Sequence, residues 1–219
     1  MIIMARGVLQ KKPFIRDVTG VILAGGKSSR FGINKALVEI NGSRLIDRVT
    51  GLLSPIFKRI ILITNSPQDY SYLRLPIYED LIRGLGPIGG ILTGLENIHD
   101  KAGFFIACDM PFVSEDLIRY MASVRGDFDA VVPKIDWKME PLHALYTKSC
   151  LPVIKELIAS GVYQINKSFC KLSVRYVNEA EIKANDPQMR SFLNVNRPEE
   201  LVDTLNRVRE ESLFNNEVH

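Results

Sequence analysis

Three short constellations could do chemistry in this chain of 219 residues. The first follows an apolar run, Val21-Ile22-Leu23, which stops at Ala24-Gly25-Gly26 and gives way to Lys27, Ser28, Ser29 and Arg30, with Gly32 and Lys35 just beyond. Glycines directly after a buried strand let the backbone turn sharply and expose N–H donors. Bare N–H groups beside Lys27, Arg30 and Lys35 suit a polyphosphate, because donors and cations both favour negative charge. A glycine turn that only packs a helix against a sheet is the plain alternative, and the three cations weigh against it. A P-loop does not fit: Gly26-Lys27-Ser28 ends like one, but the first glycine of that motif would fall on Val21.

The second constellation is Asp80-x3-Gly84-x-Gly86-Pro87-Ile88-Gly89-Gly90. Its Gly84-x-Gly86-x-x-Gly89 is nominally a dinucleotide fingerprint. Polar residues separate it from the preceding strand, so the match is weak. The third is Cys108-Asp109-Met110-Pro111, after the apolar run 103–107. A carboxylate at a strand's C-terminal end is poorly explained by packing, and ligands bind at that edge of parallel sheets. A hard oxygen ligand there suits Mg2+, which takes one or two carboxylates and substrate phosphates. Asn65 ends another strand where a base could lie, and a turn-forming asparagine explains it equally well.

The elements that must position these residues alternate. Strands are expected at 18–24, 59–65, 75–78, 103–108, 129–133, 142–146, 174–177 and 192–195. Helices are expected at 44–57 behind Ser43 as N-cap, up to Ile98 from the second glycine segment, from Ser114, at 151–160, around 163–170, and at 198–211 behind Asn196. Such alternation predicts an α/β fold: a single-domain, three-layer α/β/α arrangement with a mostly parallel, Rossmann-like sheet. Residues 1–17 read as a short N-terminal extension, 18–211 as the domain and 212–219 as a flexible tail.

Composition narrows the function classes. Hydrophobic residues make up 46% and charged residues 24%, with a net charge of +3. No Lys/Arg run exceeds two residues, so no nucleic-acid partner is expected. No apolar run approaches a membrane span, and the start lacks a signal-peptide pattern. Cys108, Cys150 and Cys170 are odd in number and far apart, offering neither a disulfide framework nor a Cys-x-x-Cys site. A cytoplasmic protein with no membrane partner is the expectation. His99, His143 and His219 are too scattered for a zinc site.

Together, Leu23-Ala24-Gly25-Gly26-x3-Arg30-x-Gly32-x2-Lys35, then Asp80-x3-Gly84-x-Gly86-Pro87, then Cys108-Asp109-x-Pro111 resemble, in order and spacing, the molybdenum cofactor guanylyltransferases, nucleotidyltransferases with a glycosyltransferase A-like fold. Asn34 departs from the family pattern, which usually has Asp before the lysine. The resemblance implies GMP transfer from GTP to the terminal phosphate of molybdopterin (the molybdenum cofactor), with release of pyrophosphate and with Mg2+ as cofactor. It implies catalytic roles for Asp109, Lys35 and Arg30, and metal binding by Asp109. Nucleotide contacts would come from Leu23, Ala24, Gly25, Gly26, Lys35, Asn65, Asp80, Gly86 and Asp109, with N–H groups of residues 24–26 on the phosphates. His143, in Glu140-Pro141-Leu142-His143, and Asn194 with Asn196 resemble segments near the acceptor. Packing explains His143, and a helix cap explains Asn196, at least as well. Other cofactor-biosynthesis proteins are candidate partners. The alternatives are a cytidylyl- or guanylyltransferase for another phosphorylated acceptor, a non-catalytic nucleotide-binding regulator of the same fold, and, more remotely, a dehydrogenase.

Overall fold

A computed structural model describes residues 12–25, 35–37, 39–40 and 42–195. In chain order the elements are β1 (Val18–Leu23), β2 (Glu39–Ile40), β3 (Ser43–Arg44), α1 (Leu45–Leu53), β4 (Ile60–Ile63), β5 (Ile77–Tyr78), α2 (Pro87–Asn97), β6 (Ala102–Ala107) and α3 (Glu115–Ser123). They continue with β7 (Ala130–Ile135), β8 (Lys138–Met139), β9 (His143–Thr147), α4 (Leu151–Ala159), β10 (Val174–Val177) and α5 (Glu179–Asn185). The main sheet has the order β10-β7-β9-β6-β1-β4-β5, with β8 paired to β7. The β4–β5, β1–β4, β1–β6 and β7–β10 pairs are parallel. β9 runs antiparallel between β6 and β7, so the sheet is mixed although mostly parallel.

Alternate residues of the central strands feed two cores, as a pleated strand requires. Ile22, Phe104, Ile106, Val131 and Leu145 pack with α1, α3 and α5 through Ile46, Val49, Leu117, Met121 and Ile182. Val21, Leu23, Phe105, Val132 and Tyr146 pack on the other face with α2 and α4 through Ile88, Ile91, Leu95, Ile154 and Leu157. The three layers expected from the alternation are present, in one domain.

Glycines in α2 set its distance from the sheet. A Cβ built on Gly94 would lie 2.5 Å from Cε1 of Phe105, and one on Gly90 would lie 3.1 Å from Cδ2 of Leu23. Gly94→Ala therefore overpacks a fully buried interface, and we expect it to cost about 1–3 kcal/mol, read as a lower urea midpoint with the slope unchanged.

Two local expectations are corrected. Ser43 does not cap α1: it pairs with Ile40 in the β2–β3 hairpin, and the helix begins one residue after Arg44, whose N–H donates to Asp47 Oδ2 (3.4 Å). Residues 192–195 form no strand. A 3-10 turn over Arg190–Phe192 occupies their donors instead: Ser191 N–H goes to Asp186 Oδ2 (2.8 Å), Phe192 N–H to Met189 O and Leu193 N–H to Arg190 O. The expected helix around 163–170 is a 3-10 helix over Ile165–Cys170. The helix expected at 198–211 lies outside the described residues.

The α3–α5 side carries a half-buried ionic cluster. Glu181 accepts from Arg175, from Tyr120 Oη and from its own cap residue, Asn178 N–H (2.9 Å). Burial pushes the Glu181 carboxyl up, but the bonds from Arg175, Tyr120 and Asn178 outweigh it and hold the group at about 2. The folded state thus binds this proton less readily than the unfolded chain, so the stabilisation is complete above the ordinary carboxylate range and fades as pH falls towards 2. Glu181→Gln is expected to lower stability at pH 7 by about 2 kcal/mol. The gap to wild type should close as the pH of a denaturation series is lowered from about 4.5.

Candidate active site at the C-terminal edge of the sheet

The parallel register brings the ends of four strands to one level. Leu23 lies opposite Ala107 on one side and Ile63 on the other, and Ile63 lies opposite Tyr78. Two residues beyond these strand ends in sequence come Gly25, Asp109, Asn65 and Asp80, with Asp109 in the turn that follows β6. Backbone bonds close the ladder up to that line. Cys108 N–H donates to Leu23 O (3.1 Å), Ala24 N–H to Ile63 O (2.9 Å) and Thr64 N–H to Tyr78 O (3.0 Å). The order across the edge is Asp109, Gly25, Asn65, Asp80, spanning three strand spacings, about 14 Å.

One donor role is revised. The Ala24 N–H is engaged by Ile63, so of the three N–H groups expected at the phosphates Gly25 is the first whose position lies beyond the ladder. Gly26 and Arg30 lie outside the described residues. Lys35 opens a 3-10 turn, Lys35–Leu37, which packs on α1 through Ala36 and Leu37.

At the far end of the line Asn65 and Asp80 grip each other. Asn65 Nδ2 donates to Asp80 Oδ2 (2.8 Å), and Asp80 N–H returns a bond to Asn65 Oδ1 (3.2 Å). Sequence reading treated these residues separately, because nothing local reveals a bond across two strands. The loop beyond is set by Leu81 N–H donating to Thr93 Oγ1 (3.0 Å) and by Gly84 and Gly86 at φ +86° and +69°. Gly86, exposed, stands just before Pro87 at the start of α2. Both glycines are required by backbone conformation.

Asp109 sits in the turn after β6, half-buried. Its carbonyl accepts from Val195 N–H (2.8 Å), which ties the segment carrying exposed Asn194 to the same edge. Asn196 lies outside the described residues. His143 begins β9 opposite Ile106. It is fully buried between Phe104 (centroids 5.1 Å, edge-on) and Phe192 (5.1 Å). Neither ring nitrogen has a hydrogen-bond partner among the described residues, and burial lowers its pKa to about 3. The imidazole therefore offers no exposed atom to a ligand.

The donor set at this edge is hard and sparse. Among the described residues no group of three or more His, Cys, Asp or Glu side chains could hold a metal. A single strand-end carboxylate fits a cation that keeps its waters and takes substrate oxygens, such as Mg2+, and does not fit a closed structural site. No helix among the described residues is long and apolar enough to cross a membrane.

A mostly parallel sheet with Gly25, a strand-end carboxylate and an Asn–Asp pair along one edge suits an enzyme of the nucleotidyltransferase class. Comparison with known proteins agrees. Residues 20–174 match the model of the MobA-like NTP transferase domain. A molybdenum cofactor guanylyltransferase of Desulfosudis oleivorans is 37% identical over 186 residues, covering 84% of this chain and 92% of the relative. A protein named "Probable molybdenum cofactor guanylyltransferase" of Peptoclostridium acidaminophilum is 38% identical over 191 residues, covering 84% and 86%. The crystal structure of molybdopterin-guanine dinucleotide biosynthesis protein A from Archaeoglobus fulgidus superposes with a TM-score of 0.74 at 27% identity, covering 88% of this chain and 99% of that one. The chain belongs to the MobA-like NTP transferase family and groups there with the molybdenum cofactor guanylyltransferases.

Proposed function

We propose that this enzyme transfers GMP from GTP to the terminal phosphate of molybdopterin, releasing pyrophosphate. The observation that carries the reading is the common level of four strand ends, followed two residues on by Gly25, Asp109, Asn65 and Asp80, with Asn65 bonded to Asp80. A nucleotide laid along it has its base at Asn65–Asp80 and its phosphates between Gly25 and Asp109. The acceptor phosphate oxygen is already anionic and needs no strong base. It attacks the α-phosphorus of GTP in line, one P–O bond forms, and the bond to the β-phosphate bridging oxygen breaks.

Asp109 is the residue that would hold Mg2+, which when bound supplies Lewis-acid stabilisation of the phosphate oxygens. The chain's own groups do the rest. Gly25 N–H, Gly26 N–H, Arg30 and Lys35 neutralise the donor phosphates and the departing pyrophosphate. Asp80, one oxygen engaged by Asn65, directs its carboxylate at the donor edge of guanine, whose ring N–H and amino group cytosine and uracil do not reproduce. Leu23 and Gly86 border the nucleoside, and Asn194 with Asn196 line the acceptor side. Cys108, Cys150 and Cys170, none of them in a disulfide, suit a reducing cytoplasmic setting.

The test is reconstitution with purified molybdopterin, Mg2+ and α-labelled GTP. Label should appear in a pterin dinucleotide with stoichiometric pyrophosphate. Transfer from CTP in preference to GTP would overturn the guanylyl reading, and product only with a different phosphorylated acceptor would overturn the molybdopterin reading.

A further inference from the structure

Phe192 closes over a polar ring that has no polar neighbour. His143 is fully buried between Phe104 and Phe192, and neither Nδ1 nor Nε2 has a hydrogen-bond partner among the described residues. A neutral imidazole carries one N–H donor and one acceptor nitrogen, and sealing both away from water costs the desolvation of each. The edge-on contact with Phe104, at 89°, returns only a weak part of that cost. An apolar side chain of similar volume would fill the seat without it. His143 therefore works against the closing of its own cover.

That cover is the segment Met189–Val195. It starts on a strained residue, since Met189 lies in the left-handed region at φ +52°, which a residue with a Cβ adopts at a cost. It is tied at Ser191, whose Oγ accepts from Ser114 N–H (2.8 Å) and whose N–H donates to Asp186 Oδ2 (2.8 Å). It is tied again at Val195, whose N–H donates to the Asp109 carbonyl (2.8 Å). Between these ties Phe192 lies half-buried on His143, while Leu193 and Asn194 are exposed. The second tie joins the cover to the turn that carries the candidate metal ligand. A segment with a strained start and an unfavourable seat opens at small cost.

We infer that His143 is a positioning residue for the acceptor: it keeps Met189–Val195 lightly seated, so that the segment lifts to admit the acceptor to Asp109 and re-seats behind it. This rests on the reaction proposed above. His143 touches neither substrate and acts through Phe192. An acceptor that contacts Asn194 and Asp109 together favours the seated form, by its differential affinity for the two forms. A leucine at position 143 removes the two unpaired nitrogens and fastens the cover, which slows a step that each turnover needs.

The first measurement uses the full chain without substrates. Hydrogen exchange, read by mass spectrometry on peptides covering 189–195, should slow about tenfold in His143→Leu, with a urea midpoint at or above that of wild type. His143→Gln keeps a polar group in the seat and should exchange within about threefold of wild type. Turnover with GTP, Mg2+ and molybdopterin should follow the cover. We expect kcat to fall about fivefold in His143→Leu and to recover mostly in His143→Gln, with KM for GTP within about twofold of wild type throughout. Phe192→Ala acts in the opposite direction: exchange at 189–195 speeds up, and KM for molybdopterin rises about fivefold. Unchanged or faster exchange in His143→Leu, or slower exchange with kcat unchanged, overturns the inference. A His143→Leu chain that fails to fold, or melts in urea well below wild type, also overturns it, because the imidazole would then be favourably seated. So does Phe192→Ala with exchange and KM unchanged. Wild-type enzyme that forms no product from molybdopterin and GTP overturns the proposed reaction instead.

Discussion

Alanine at position 109 is expected to lower guanylyl transfer by about three orders of magnitude or more, with the fold retained. The loss is large because, in the proposed reaction, two polyanions must be brought together at the turn after β6, with the Asp109 carboxylate as the proposed hard ligand there. The fold is retained because Asp109 is only half-buried and its bond from Val195 N–H uses the backbone carbonyl, which alanine keeps. Far-ultraviolet dichroism and a denaturant midpoint check the fold. Titration with Mn2+ in the presence of GTP, followed by paramagnetic resonance, separates metal loss from misfolding: wild type should bind the ion and Asp109→Ala should not. Near-wild-type turnover in the variant would remove Asp109 from the metal site.

Asp80→Asn is expected to cost about a hundredfold in kcat/KM for GTP and much less for ITP, which lacks the 2-amino group. In wild type Asn65 Nδ2 donates to Asp80 Oδ2, which orients the carboxylate and leaves its other oxygen for the proposed bond from guanine. An amide at position 80 can turn its NH2 towards the guanine donors, placing donor against donor. It also unsettles Asn65, which bonds both the side chain and the backbone N–H of Asp80. Competition assays with GTP and ITP read the ratio directly. A variant that still prefers GTP as strongly as wild type would show that the base is recognised elsewhere.

The residues that could be read from sequence share a physical cause: each interrupts an apolar run. Gly25 ends 18–23, Asn65 follows 60–63, Asp80 follows 77–78 and Asp109 follows 102–107. A polar or glycine residue at the end of a buried strand stands out locally, and parallel sheets put their sites there. What stayed hidden is non-local. The Asn65–Asp80 pair, the shared level of the four strand ends and the antiparallel seat of β9 depend on which strands become neighbours. Hydrophobic periodicity does not encode that. His143 shows the limit from the other side, since alternation with Leu142, Ala144 and Leu145 places it on a strand but cannot tell a ligand contact from a seat between Phe104 and Phe192. The apolar run at 192–195 misled for a similar reason, because Asp186, distant by five residues, captures the Ser191 N–H and turns the chain.

The common level of the four strand ends, Leu23, Ala107, Ile63 and Tyr78, also dictates where this chain can change length. One residue added within Ile60–Ile63 would carry Asn65 about 3.3 Å past its neighbours and turn its side chain to the opposite face of the sheet. The same holds for Val18–Leu23, Ala102–Ala107 and the short Ile77–Tyr78. Exposed turns such as Arg125–Phe128, which returns the chain from α3 to β7, carry no such constraint and can absorb insertions at small entropic cost. Strand length in this enzyme is therefore a functional dimension, and a deletion scan should divide the chain into segments counted to the residue and segments that tolerate drift.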